Sequence, residues 1–165
     1  MSDLNNIRFA ARALGVLAVF VTAGALAQTS PTAPLATTIE QRTVVVAADG
    51  RERLEAGDAV RPGAVVEYTV TLRNTTSQGL KNVQATLPIP ASTEYLPGSA
   101  RPAAITGSAD GTTYSVLPIR RTVKKNGVEV TETLGPRDVR WVRWAALDLA
   151  GGASATFTAR VRVDK

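Results

Sequence analysis

The sequence predicts an all-β domain, a sandwich of about seven short strands, and three observations carry that expectation. Apolar and polar residues alternate with a period of two in several runs, the pattern of a strand buried on one face only. Gly, Pro, Asn and Asp separate those runs at short intervals, as turns between strands require. After residue 27 no segment keeps a 3.6-residue apolar period between helix caps.

The elements follow in chain order. Residues 1–27 match a secretory signal peptide. Arg8 and Arg12 form a positive start, Ala13–Ala27 ("ALGVLAVFVTAGALA") is the apolar stretch, and Ala25-Leu26-Ala27 is the small-x-small pattern before cleavage ahead of Gln28. The apolar run of about 15 residues is shorter than the roughly 20 a bilayer span needs, so no transmembrane span is expected after cleavage. Residues 28–38 ("QTSPTAPLATT") are uncharged and rich in Pro, Thr and Ala, the composition of an extended linker. The domain is expected over residues 39–165.

Thr38–Ala48 opens with alternation and ends in a β-branched run, a first strand, and Arg51–Gly63 reads as a short edge strand followed by a turn. Val66, Tyr68, Val70 and Leu72 then alternate with Glu67, Thr69, Thr71 and Arg73. Asn74–Gly79 is a polar turn, and Asn74 is of a residue type that tolerates left-handed backbone. Val83, Ala85 and Leu87 repeat the alternation until Pro88-Ile89-Pro90 stops it, because Pro has no N–H for a ladder. Asn126-Gly127 marks a two-residue type I′ hairpin, both residues tolerating the positive φ this turn requires. That register sets Lys124 opposite Glu129 and Arg121 opposite Glu132. Val139–Leu149 and Ser154–Val163 supply the last strands, the latter with Phe157, Ala159, Val161 and Val163 on one face.

The full chain has a net charge of +5, and loss of residues 1–27 removes Arg8, Arg12 and Asp3 to leave +4. The charge is mild and mixed along the sequence, unlike the dense Lys/Arg clusters of a nucleic-acid binder, so no nucleic acid is expected as a partner. There is no Cys and no His. A hydrophobic core alone must therefore hold the domain, and about 138 residues can bury roughly two-thirds of their unfolded surface.

From Arg61 onward the order of features resembles a known family. "RPGAVVEYTVTLRNTTSQGLKNV" (Arg61–Val83) is similar to a succession of Pro-Gly, Tyr-x-Val/Ile-x-Val, Asn-x-Gly/Ser and Asn-Val. "ATLPIPASTEYLPGSA" (Ala85–Ala100) is similar to a Leu-Pro, aromatic, Gly-Ser segment, and "VRWVRWAALDLAGGASATFTARVRV" (Val139–Val163) to a closing strand pair around a Leu-Ala-Pro/Gly-Gly turn. These are motifs of the bacterial surface "conserved repeat" domain, the domain of unknown function numbered eleven. The resemblance implies an immunoglobulin-like β-sandwich on an exported envelope or surface protein. That family is usually found in tandem copies, whereas the pattern occurs once here, and the "KKNGVEV" hairpin is a local elaboration.

The chemistry the residues exclude is as informative. Without His or Cys most nucleophilic triads and most zinc sites are closed, and no Ser-x-x-Lys occurs. The carboxylates are scattered, mostly beside Lys or Arg; Glu55, Asp58 and Asp110 fall short of a calcium loop and read as turn and cap residues. No enzyme activity, metal or cofactor is expected. Asn74-Thr75-Thr76 fits a glycosylation sequon but reads as a turn after a strand. Trp141 and Trp144 lie three apart, so on a straight strand they face opposite sides. The resemblance places Val142 and Trp144 in the core and leaves Trp141 outside as a candidate contact, a residue type enriched in binding hot spots. Arg120, Arg121, Lys124 and Lys125 form the most basic cluster and the other candidate contacts. The expectation is a non-enzymatic exported domain, periplasmic or at the cell surface, that binds or assembles with an envelope or surface protein. The alternative is electrostatic binding of an anionic envelope polymer through the basic hairpin.

Overall fold

Alternation becomes sheet most fully in two ten-residue strands, and the rest of the chain is arranged around them. The computed structural model describes residues 33–56 and 60–165. The signal-peptide segment and Asp58 lie outside the described residues. Within them the chain is all-β, with one 3₁₀ turn at Pro136–Asp138. No helix of the described residues is long and apolar enough to cross a membrane.

The largest sheet contains β1 (Leu35–Val46), β2 (Glu52–Glu55), β3 (Val65–Asn74), β6 (Thr93–Tyr95) and β12 (Ser154–Val163). Its order is β2-β1-β3-β12-β6, antiparallel throughout. Leu35–Thr38, expected in the linker, pair instead with Thr71–Asn74, so the first strand begins inside the Pro/Thr/Ala-rich stretch. As expected, β2 is a short edge strand, joined to β1 by a turn in which Asp49 accepts a hydrogen bond from the Arg51 N–H.

The remaining strands form three smaller sheets. β5 (Thr86–Pro88), β7 (Ile105–Ser108) and β10 (Trp141–Trp144) make one in the order β5-β10-β7; β4 (Leu80–Val83) pairs with β11 (Leu147–Leu149), and β8 (Arg120–Lys125) with β9 (Val128–Thr133). The described strands number twelve against the seven or so expected, and two causes account for the difference. Runs that read as single strands are each cut in two, β4 from β5 and β10 from β11. The cut falls where Asn82 takes a φ of 56° and the β4–β11 register shifts, while the Trp144 N–H still reaches the Ala85 carbonyl across the gap. The second cause is β6 and β7, three and four residues long, too short for alternation to reveal. Pro88 sits on β5, an edge strand, where its missing N–H costs no ladder bond.

A single core joins these sheets. Val66, Val70 and Leu72 of β3 and Phe157, Ala159 and Val161 of β12 meet Leu87, Val142 and Trp144 from the three-stranded sheet. The Trp144 ring packs 5.3 Å from that of Phe157, and its indole N–H donates to the Pro102 carbonyl. The largest buried side chain thus keeps its polar atom satisfied. On the outer face of the large sheet Arg160 donates from Nε to Glu67 and from Nη1 to Glu52, each at 2.8 Å, tying β12 to β3 and β2.

One end of the core is closed by a polar residue. Asn74 does not take left-handed backbone; the non-glycine positive φ values among the described residues belong to Asn82 and Asn126. Asn74 is instead the last residue of β3 and is 0% exposed. Its Nδ2 donates to the carbonyls of Gln78, Leu149 and Ala150, and its Oδ1 accepts from the Thr76 N–H and hydroxyl. The turn after β3 is thereby locked to the turn after β11. Gly151 sits in that junction, where a Cβ would lie 2.2 Å from the Ser77 carbonyl oxygen.

Removing the Asn74 amide deletes five hydrogen bonds at this junction, each worth about 0.5–1.5 kcal/mol. Asn74→Ala should therefore lower stability by about 3 kcal/mol or more, read from the urea midpoint, whereas Thr75→Ser at the exposed neighbour should change it by less than about 0.5 kcal/mol. Equal midpoints for the two variants would refute the role assigned to Asn74.

Candidate functional site

The hairpin β8–β9 contains four of the five residues singled out as contacts. Its register is the expected one, with Asn126 and Gly127 at φ 53° and 80°, Lys124 opposite Glu129 and Arg121 opposite Glu132. The charges pair differently. Glu132 receives both Arg121, at 3.3 Å, and Lys125, at 2.6 Å, because these three share one face of the ribbon and Lys is long enough to reach back along it. Lys125 and then Arg121 hold the Glu132 carboxyl below its ordinary pKa. Among the described residues Arg120 and Lys124 have no ion pair. The same face exposes Val128 and Val130.

Trp141 is half-buried on the face of β10 opposite Val142 and Trp144. Its ring lies against Gly111, where a Cβ would come within 3.2 Å of the indole. Gly111 belongs to the turn after β7, and that turn is heavily hydrogen-bonded. The Ser108 hydroxyl donates to Asp110 and accepts from the Gly111 N–H, and Asp110 Oδ1 accepts from the Thr112 and Thr113 N–H groups, both at 2.8 Å. Trp141 therefore covers a turn, and no hydrogen bond or ion pair among the described residues links it to Arg120, Arg121, Lys124 or Lys125. Two residues along the same face, Arg143 stacks its guanidinium 3.4 Å above the Tyr114 ring.

Two further features escape a reading of the sequence alone. The first is the outer edge of β1. The Thr75 N–H donates to the Pro34 carbonyl, which fixes the parity of the β1–β3 ladder so that even-numbered residues of β1 turn their backbone groups toward β3. Leu35, Thr37, Ile39 and Gln41 turn theirs outward, and β2 begins to pair only at Thr43. Among the described residues no strand meets these four. Ile39, level with the buried Val70 on the same face of the sheet, is 47% exposed.

The second is a cleft at the root of the hairpin. Tyr95, Ala100 and Ile105 form one side, and Val116, Leu117 and Leu134 the other. Gly107 permits this packing, since a Cβ there would meet Leu117 at 2.5 Å. The turn at Pro136–Asp138, which also lines the cleft, is held by Arg137, 3.6 Å from Glu94 and 3.0 Å from Asp164. Burial raises the Tyr95 pKa, against the opposing effects of Ser99, Ala100 and Arg101. Ser99 Oγ is committed to the Leu96 carbonyl and the Arg160 N–H, and the buried Tyr95 hydroxyl has no hydrogen-bond partner among the described residues. The apolar triplet Val116-Leu117-Pro118 beside a charged hairpin is the one sequence signal of this cleft.

The acidic side chains with shifted pKa values are engaged: Asp148 with Lys81 at 2.6 Å and the Asn82 N–H, Glu132 with two cations, Asp110 with backbone N–H groups. Among the described residues no group of three His, Cys, Asp or Glu is placed to hold a metal ion. Compared with known protein families, curated proteins and solved structures, the chain matches none.

The Thr113 and Thr112 N–H groups and the Ser108 hydroxyl hold the Asp110 carboxyl far below the usual carboxylate range. A depressed folded-state pKa means a contribution to stability that is complete above the unfolded value, about pH 4, and drains away as the pH falls below it. Asp110→Asn removes this contribution. The stability gap between wild type and Asp110→Asn, measured by urea unfolding, should therefore be larger at pH 5 than at pH 2.5; a gap independent of pH would contradict the assignment.

Proposed function

We propose that the chain is an exported, non-enzymatic module of the cell envelope, an immunoglobulin-like β-sandwich of the conserved-repeat type, which binds a protein partner by strand addition. The observation that carries this reading is the outer edge of β1, where Leu35, Thr37, Ile39 and Gln41 direct N–H and C=O groups away from β3. Strand addition draws its affinity from such main-chain groups and its specificity from pockets for alternate side chains. Ile39 lies on the inward face beside this edge, an apolar anchor for a partner side chain folded over that face. The edge is not shortened or bulged as edges that avoid pairing usually are. The signal-peptide pattern of residues 1–27 supports export, and the order of motifs from Arg61 to Val163 supports the family. The hairpin reading, with an anionic polymer as ligand, is less favoured because Glu132 takes up two of its four cations.

Ile39→Pro and Thr37→Pro each delete an outward N–H and leave the bonds to β3 in place, since Pro is accepted on edge strands. With a photoreactive residue at Gln41, the full-length protein in intact cells is expected to give one defined protein adduct, and the double variant Thr37→Pro/Ile39→Pro to lose it. Affinity for the identified partner should fall by about tenfold or more, equivalent to 1.4 kcal/mol per decade. An adduct that persists undiminished in a double variant with an unchanged thermal midpoint would overturn strand addition.

A further inference from the structure

The cleft at the hairpin root has the properties of a small-molecule site. Its volume is about 500 Å³, within the roughly 300–1,000 Å³ typical of such sites. Its lining carries no Lys, Arg, Asp or Glu side chain. Val116 at the rim is 76% exposed, a large apolar side chain held in water beside an apolar hollow. A second hollow of about 350 Å³ shares Val116, Leu117 and Pro118 with the first and adds Arg120. Arg120 stands opposite Thr133 in the hairpin register and has no ion pair among the described residues, so its guanidinium is available in the hollow that adjoins the cleft. The walls are preformed: hairpin ladder bonds hold one, and Arg137 fastens the Pro136 turn to Glu94 and Asp164.

An apolar trough with an unpaired cation in the hollow beside it is complementary to an amphipathic anion. A planar carboxylate matches the guanidinium fork with two parallel hydrogen bonds. A flexible aliphatic chain can follow the apolar lining of this open trough. We propose that this cleft binds a medium-length aliphatic carboxylate, its chain against Leu117 and Leu134 and its head on Arg120. The site uses none of the residues of the β1 edge, so it stands whether or not the partner-binding reading does.

The test is calorimetric titration of the full-length protein with decanoate, alongside decanol at the same concentrations. Decanoate is expected to bind at one site, at least about tenfold more tightly than decanol. Arg120→Glu should weaken decanoate by a similar factor, while Lys124→Glu, an equally exposed cation nearer the hairpin tip, should leave it unchanged. Ala103→Phe, at an exposed lining position, should abolish binding by filling the trough. Val116→Asp, at the exposed rim, should do so by placing a carboxylate where the ligand head arrives, so the test does not depend on either variant alone. Decanol binding as tightly as decanoate, equal losses from Arg120→Glu and Lys124→Glu, or undiminished binding in folded Ala103→Phe and Val116→Asp would each overturn the proposal, as would no binding at all.

Discussion

The amide of Asn74 is the constraint on which the rest of the arrangement depends. β3 is the centre of the large sheet, bonded on one side to β1 and on the other to β12, so the position of its end sets the register of both neighbours. A strand can slip by one residue only by turning its whole buried set to the other face. Asn74 opposes slippage by tying the end of β3 to the Leu149 and Ala150 carbonyls, and through them to the turn that leads into β12. The chain has no Cys and so no disulfide, and among the described residues no α-helix packs on the sheet to brace it. A buried amide with its donors and acceptor filled therefore does the fastening that a cross-link does in disulfide-bonded domains. Gly151 is part of the same constraint, since the carbonyl of Ser77 occupies the space a side chain would need.

What the sequence revealed and what it concealed divide along a physical line. Alternation over eight or more residues is a strong signal because every second side chain reports the same face, and β3 and β12 bury the residues expected, Val66, Val70 and Leu72 against Phe157, Ala159 and Val161. Asn126-Gly127 was equally legible, since a two-residue turn with positive φ at both positions leaves one possible register. Breaks within a run were not legible: β4 ends at Val83, next to the positive-φ Asn82, although Val83, Ala85 and Leu87 keep their period across the gap to β5. Nor could spacing assign Asn74, because the residue types that tolerate left-handed backbone are the ones that can fill a buried polar junction. Leu35–Thr38 misled for a compositional reason. Pro, Thr and Ala suit a linker, but Thr also suits an edge strand, and pairing with Thr71–Asn74 decided the matter.

The candidate contacts show how tertiary neighbours redirect a residue's role. Trp141 was selected because it had to leave the core that Trp144 occupies, and it did leave it, only to meet Gly111, whose missing side chain makes room for the ring. The basic hairpin kept its register but redistributed its charge. Glu132 lies between Arg121 and Lys125 on one face, and reach along the ribbon mattered more than direct opposition across it. That redistribution leaves Arg120 as the cation nearest the root of the hairpin, beside an apolar surface that the sequence displays only as Val116-Leu117-Pro118.

The same comparison of neighbours explains why the β1 edge is more than an unfinished strand. Val70 and Ile39 stand side by side on one face of one sheet, yet Val70 is 1% exposed and Ile39 47%. At this level the packing that covers Val70 therefore stops short of Ile39. A strand added beside β1 satisfies the outward backbone groups of Leu35, Thr37, Ile39 and Gln41, but on its own it lies level with Ile39 and does not cover it. A partner that completes this surface must supply two things together, a strand in the plane of the sheet and an apolar side chain folded over its inward face. That double requirement gives the edge selectivity that main-chain hydrogen bonding alone lacks.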